Sequence, residues 1–311
     1  MKHAIQSASR LADRQPADLG RREYLRPHHG ALNIAQIFVL HAAVGAWLWW
    51  GRALLPYPAF LASAVFVCLL HQRQLSEGFH EATHWNLLPS RRANDWAANV
   101  LLGLLNGVTV AANRPGHFRH HAVTAYFTDD DPDTRSAAAG TRGELWRGLL
   151  LDVCGITAWR AFRHASRDEA ATGMTRASRA AWFATLTLVH GAGFAATLAA
   201  GRPEIYPVWF GTLVTLYPVA NRLRLYAQHA EISADGSPRL AGSRASRSFH
   251  AGLLERLLLH SAVIMYHHEH HRAPALPFRA LRAIARPSAD RNAYATGGLR
   301  FVIDVARRLG T

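Results

Sequence analysis

Cysteine is nearly missing from this chain. Cys68 and Cys154 are the only two, each in apolar surroundings, so neither a disulfide framework nor a cysteine cluster for iron–sulfur or structural zinc is available. Lysine is scarcer still: Lys2 stands alone among 35 basic residues. Charge as a whole is thin, 18% of a sequence that is half hydrophobic. The first 30 residues have no apolar core, so they do not read as a cleavable signal peptide, and nothing argues for an oxidising compartment.

What is present is arginine, histidine and long apolar runs. A net charge of +14 would fit a nucleic-acid binder, but the arginines flank apolar stretches instead of gathering in one patch. That placement marks the cytoplasmic loops of a membrane protein and excludes nucleic acid as the partner. Four stretches approach the roughly 20 residues that cross a bilayer as helix, namely Ala31–Trp50, Leu54–His71, Ala181–Ala200 and about Tyr206–Ala220. The first two are joined by a tight turn with Arg52, Pro56 and Pro58, the last two by one with Gly201, Arg202, Pro203 and Pro207. Two hairpins put both termini and the centre on one side. The short turns hold few arginines, so that common side is the cytoplasmic face of the cell's inner or plasma membrane.

Asp95–Ala112 is expected to lie in the interface or dip part-way. Glu144–Phe162 and Leu253–Tyr266 carry apolar residues at helical spacing, as interfacial helices do. The expected fold is therefore all-α and integral to the membrane: four transmembrane helices in two hairpins, with interfacial helices and a cytoplasmic histidine-rich cap. Residues 1–30 form an N-terminal tail, 31–285 the membrane domain and 286–311 a C-terminal tail.

Three of the histidine groups have helical spacing. His80 and His84 stand at i and i+4; His117, His120 and His121, and again His267, His270 and His271, at i, i+3 and i+4. Each spacing puts its imidazoles on one side of a helix. Eight such ligands are too many for one metal ion and suit two neighbouring ions; ligand type alone leaves zinc, copper, iron and nickel open. His41 and His190, inside spans, read as buried hydrogen-bonded residues, and His268 as pointing away.

The order H-x3-H, then H-x2-H-H, then Tyr266-His267-x-Glu269-His270-His271-x-x-Pro274-x-x-Pro277 resembles the membrane-bound fatty acid desaturases and their hydroxylase and ketolase relatives, over about residues 71–281. The resemblance implies four spans, a cytoplasmic cap and a non-haem centre of two iron ions. It also implies a ninth ligand after the last span, for which His229 is the candidate. The implied activity is O2-dependent oxidation of an unactivated C–H in a lipid acyl chain, most simply desaturation, with hydroxylation or ketone formation as the alternative. Electrons would come from an external, unfused carrier such as a ferredoxin, since no His-Pro-Gly-Gly haem motif is present. Glu269, Asp131 and Glu81 are candidates for supporting the ligands, and Trp85 and Asn86 for lining the substrate channel.

Two other readings compete. His80-Glu81-x-x-His84 fits the H-E-x-x-H zinc protease motif, with Glu81 as base and Asp152 as a further ligand. It leaves both histidine triplets unexplained. A metal transporter would place ionisable residues inside the spans, and these contain almost no acid.

Overall fold

The structure is a computed structural model that describes residues 25–167, 174–258, 264–285 and 289–310. The N-terminal tail expected at residues 1–30 thus falls largely outside the described residues, as does part of Leu253–Tyr266.

The chain is mostly helical. Helix α1, Pro27–Leu54, starts with proline at its first position, where no backbone donor is lost. Helix α2, Tyr57–Thr83, follows after Pro56 and runs twelve residues beyond the expected span end at His71. The extension is polar and its residues bind one another and a neighbouring helix: Gln72 Nε2 donates to the Trp209 carbonyl at 2.8 Å, and Arg73 pairs with Glu77 at 2.7 Å. One helix therefore carries the apolar stretch expected as a span in its first half and the first histidine pair in its second.

Next comes a bent unit. Helix α3, Arg91–Ala98, runs into a π turn at Asn99–Gly103 and a last turn at Leu104–Asn106; helix α4, Val110–Ala122, then leaves at 90°. Gly107 has φ +71° at the corner, and a Cβ on Gly103 would meet the Val108 carbonyl oxygen at 2.3 Å, so both positions require glycine. The π turn frees carbonyls, and histidines from the spans cap two of them. His41 Nε2 donates to Leu101 O at 3.0 Å and His190 Nε2 to Leu104 O at 3.1 Å. Since a carbonyl only accepts, His41 Nδ1 must accept from His71 Nε2 at 2.8 Å, and His71 Nδ1 from Trp209 Nε1 at 3.3 Å. His41 and His190 are thus hydrogen-bonded, as the sequence predicts, but only part-buried, whereas His71, between His41 and Trp209, is buried.

Helix α5, Arg142–Val153, opens with a Thr141/Glu144 capping box and breaks from α6, Ile156–Arg167, at Gly155 (φ +73°). Helix α7, Arg176–Ala199, is capped by Thr175. Helices α8, Ile205–Val214, and α9, Leu216–His229, replace the single expected fourth span. Pro218 explains the break: it cannot donate to Val214, and its ring would strike that carbonyl.

Helices α1 and α7 are long and apolar enough to cross a membrane, and the bent α3–α4 unit qualifies as a third only if taken as one broken span. Lipid contact is written on their surfaces. Phe38, Val39, Trp50, Leu188 and Leu198 are all more than half exposed, and only 6% of the apolar stretch of α7 is buried.

The C-terminal third forms the cap, and here two expectations need correction. It is not purely helical: β1 (Glu231–Ile232) pairs antiparallel with β2 (Pro238–Arg239), and β3 (Ser248–His250) pairs parallel with β4 (Tyr294–Thr296). Nor is the end of the chain a loose tail. After α10 (Leu253–Leu258), α11 (His267–Arg272) and α12 (Phe278–Ile284), helix α13 (Gly298–Arg308) buries Phe301, Val302 and Val305 in one core with Leu145, Tyr226 and Phe249. Its apolar residues recur at helical spacing, which gives the segment a face to bury. Arg247, wholly buried, ties this end down by donating to the carbonyls of Ala227, Ala230 and Arg291.

Candidate metal centre

Four helices deliver the histidines. His80 sits on the last turn of α2 with His84 at its C-cap; His117, His120 and His121 lie on α4, His229 ends α9, and His267, His270 and His271 make up half of α11. Their rings gather in two sets. His80, His84, His117, His121 and His270 form one; His120, His229, His267 and His271 form the other; within each, one nitrogen per ring lies within 4.8 Å of the rest. The sets abut, the His121 and His271 ring centres being 4.4 Å apart and those of His120 and His121 5.7 Å.

The nitrogens that face one another are Nε2. In the first set His117 Nε2 is 2.9 Å from His84 Nε2 and 3.2 Å from His121 Nε2, which is 3.1 Å from His270 Nε2. In the second, His267 Nε2 is 2.9 Å from His229 Nε2 and 3.0 Å from His271 Nε2. The protons are held elsewhere. His117 Nδ1 donates to Asp133 at 2.6 Å, His120 Nδ1 to Asp131 at 3.0 Å, and His229 Nδ1 to the Ala245 carbonyl at 3.0 Å. A neutral ring that donates from Nδ1 offers only a lone pair at Nε2. Burial, reinforced by the neighbouring imidazoles, drives the pKa of His80, His84, His229, His267, His270 and His271 well below the usual histidine value. Neutral rings with converging lone pairs repel one another unless a cation lies between them. Two imidazoles bound at about 2.1 Å and at right angles stand about 3 Å apart, which matches these contacts. The donor set therefore fits two transition-metal ions.

The sets differ in their supports. Asp131 is fully buried and also accepts from Thr134 Oγ1 and the Asp133 N–H, so its grip on His120 is braced. His271 Nδ1 meets Tyr126 Oη at 3.2 Å. In the five-membered set Asp133 braces His117. Burial on its own would raise the Asp133 carboxyl, but His117, His120 and Arg224 hold it well below the usual range. The buried Nδ1 atoms of His80, His121 and His270 have no hydrogen-bond partner among the described residues.

The other candidates fall at various distances from this centre. Glu269 accepts from Ser248 Oγ and not from an imidazole. Glu81 accepts the Phe278 N–H at 3.0 Å, tying the first histidine pair to the start of α12; burial lifts its carboxyl to about 8. Trp85, at φ +58°, lies between the guanidinium groups of Arg91 (4.4 Å) and Arg114 (3.9 Å). Asn86 is buried and donates weakly to the Pro274 carbonyl at 3.4 Å. Asp152 is held by Arg222 through two bonds of 2.6 and 3.0 Å, and Gly148 leaves the room that guanidinium needs. The base and further ligand of a zinc protease are thus both committed elsewhere. His268 turns to Ser246.

Asp133, Tyr126 and the Ala245 carbonyl are not singled out by sequence. Asp133 lies in the acidic run after the second motif, where its i+2 relation to Asp131 was the only available signal. A cavity of about 240 Å³ borders the centre, touching His80, His117, His120 and His267. A larger groove of about 870 Å³ shares Val108 and Asn113 with it.

The fatty acid desaturase family model matches residues 55–302, which takes in α2 to α12 and every histidine of the two sets. No curated protein matches the chain.

Proposed function

Because the chain belongs to the membrane fatty acid desaturase family, we propose that it oxidises an unactivated C–H bond in a lipid acyl chain with O2, giving a double bond, with an alcohol or ketone as the alternative product. The observation that carries this reading is the pair of abutting imidazole sets with Nε2 lone pairs turned inward. His80, His84, His117, His121 and His270 would hold one iron and His120, His229, His267 and His271 the other. Iron bound there supplies the two-electron activation of O2 that no side chain can perform.

The chain's own work is positioning. Asp131 and Asp133 keep a proton on the outer nitrogen of His120 and His117, and the Ala245 carbonyl does the same for His229; each fixes ring and tautomer so the inner nitrogen stays a donor. Phe79, Val108, Leu213 and Leu225 line the small cavity and guide the acyl segment toward the histidines.

In this reading α1 with α2, and α7 with α8 and α9, are two membrane hairpins whose turns meet at the Arg52–Glu204 pair, 3.3 Å apart. Both termini and the centre face the cytoplasm, where an Arg-rich surface receives an acidic, ferredoxin-like electron donor. Salt should weaken that association; donor binding indifferent to ionic strength argues against it.

The deciding experiment expresses the protein in a host lacking desaturases and profiles lipids by mass spectrometry, with His120→Ala and His270→Ala alongside. The expected outcome is a new unsaturated or oxygenated lipid from the wild type alone, and about two irons per purified chain. One zinc per chain with no lipid product overturns the proposal.

A further inference from the structure

The cavity against the centre is unexpectedly polar for a chamber that is to hold hydrocarbon. On α2, Ser76 precedes His80 by one turn; on α4, Asn113 precedes His117 by one turn; on α9, Tyr217, Asn221 and Arg224 follow one another along one face. Asn106, from the last turn before the Gly107 corner, completes the polar wall. Three separate helices each turn a polar residue to the same space, beside the histidines.

Several of these groups still have hydrogen-bonding capacity. The Tyr217 hydroxyl donates to Ser76 Oγ at 2.9 Å, which leaves the Ser76 hydroxyl proton without a partner among the described residues. Asn221 Oδ1 accepts from Arg224 Nε at 3.0 Å while its amide nitrogen makes no bond among the described residues. Asn106 Oδ1 is buried with no partner among the described residues. A bare methylene chain pressed against this wall would strip these groups of water and return nothing.

We propose that the substrate carries a neutral oxygen function, a hydroxyl or carbonyl, on the stretch of chain beside the oxidised carbon, and that Ser76, Asn106, Tyr217 and Asn221 receive it. This rests on the oxidase reading above and narrows its substrate class to oxygenated lipids. A carboxylate is disfavoured because the charges around the chamber already balance: Arg224 and Arg73 face Glu77 and Asp133. A hydroxyl can donate to Asn106 Oδ1 and accept from Asn221; a carbonyl uses the donors alone.

The test uses the purified full-length protein and matched long-chain lipids: one plain, a positional series with a single mid-chain hydroxyl, and a series with a mid-chain oxo group. Binding is read by displacement of a fluorescent fatty acid, and oxidation separately by mass spectrometry. The expected result is that at least one oxygenated chain binds about tenfold or more tightly than the plain one. That preference should collapse in Asn221→Leu and Tyr217→Phe, whose iron content and melting temperature serve as controls for folding. Equal binding of plain and oxygenated chains at every position overturns the inference, as does a preference that survives both substitutions. Oxidation of the plain chain without any preference defeats the inference but leaves the oxidase reading standing. If neither lipid is oxidised, the oxidase reading is in question, and the binding preference still decides whether the chamber selects oxygenated chains.

Discussion

The lipid-facing half of this molecule and its histidine-bearing half meet opposite requirements. Helices α1 and α7 present Phe38, Val39, Trp50 and Leu188 to their surroundings and bury little. The other half buries His120, His229, Asp131, Asp152, Arg222 and Arg247, nearly all with a named partner. In the first, position is loosely specified, because any apolar side chain satisfies lipid. In the second, these buried polar groups each constrain a particular neighbour, since an unmet bond there carries its full desolvation cost. Substitutions should therefore be felt far more in the second half, in a definite order.

The largest effect is expected at the imidazoles. His270→Ala and His229→Ala should each lower activity by more than about a hundredfold, beyond what loss of a supporting residue does, and reduce iron per chain. Full iron content with unchanged product in either variant would break the contrast at its strongest point. Next comes the buried Arg222–Asp152 pair. Arg222→Met strands Asp152 and should cost about 3–5 kcal/mol of stability, read as a lowered melting temperature in detergent. The double variant Arg222→Met with Asp152→Leu should recover much of that loss.

Asp131→Asn should weaken metal retention about 10- to 100-fold against a competing chelator. Asp133→Asn should do less, because Asp133 is partly exposed while Asp131 is braced by Thr134. Equal losses would show that the two sets are supported alike.

The smallest effect belongs to the far end, where Glu204 meets Arg52 and Arg202 in the turns. Burial would raise this carboxyl, but its own backbone N–H and the two guanidinium groups prevail and hold it below the ordinary carboxylate value. With the folded value depressed, the stabilisation is present above the unfolded value and is lost as pH falls through the folded one. Glu204→Gln should cost less than about 1 kcal/mol near neutral pH, and its melting curve should merge with that of the wild type in acid.

How much could be read beforehand differs between the halves in the same way. His80, His84 and the two triplets are legible because each is a local spacing on one helix, and a helix converts spacing into direction. The extension of α2 past His71 is not, because Arg73, Glu77 and Gln72 look like loop residues until Trp209 and one another are supplied as partners. Helix α13 is missed for a related reason: its apolar face has meaning only once α9 and β3 offer a core to cover. The break between α8 and α9 falls inside an apolar run, where hydropathy reads one span and only Pro218 marks the interruption.

The sequence alone determined which residues are apolar for the length of a bilayer and which histidines share a helical face, since both follow from local periodicity and composition. The tertiary structure decided how nine imidazoles divide into five and four, which nitrogen each turns inward, and that a polar chamber borders them. Those outcomes depend on contacts between α2, α4, α9 and α11, segments up to 190 or so residues apart, and no pattern within one segment encodes the register in which separate helices meet.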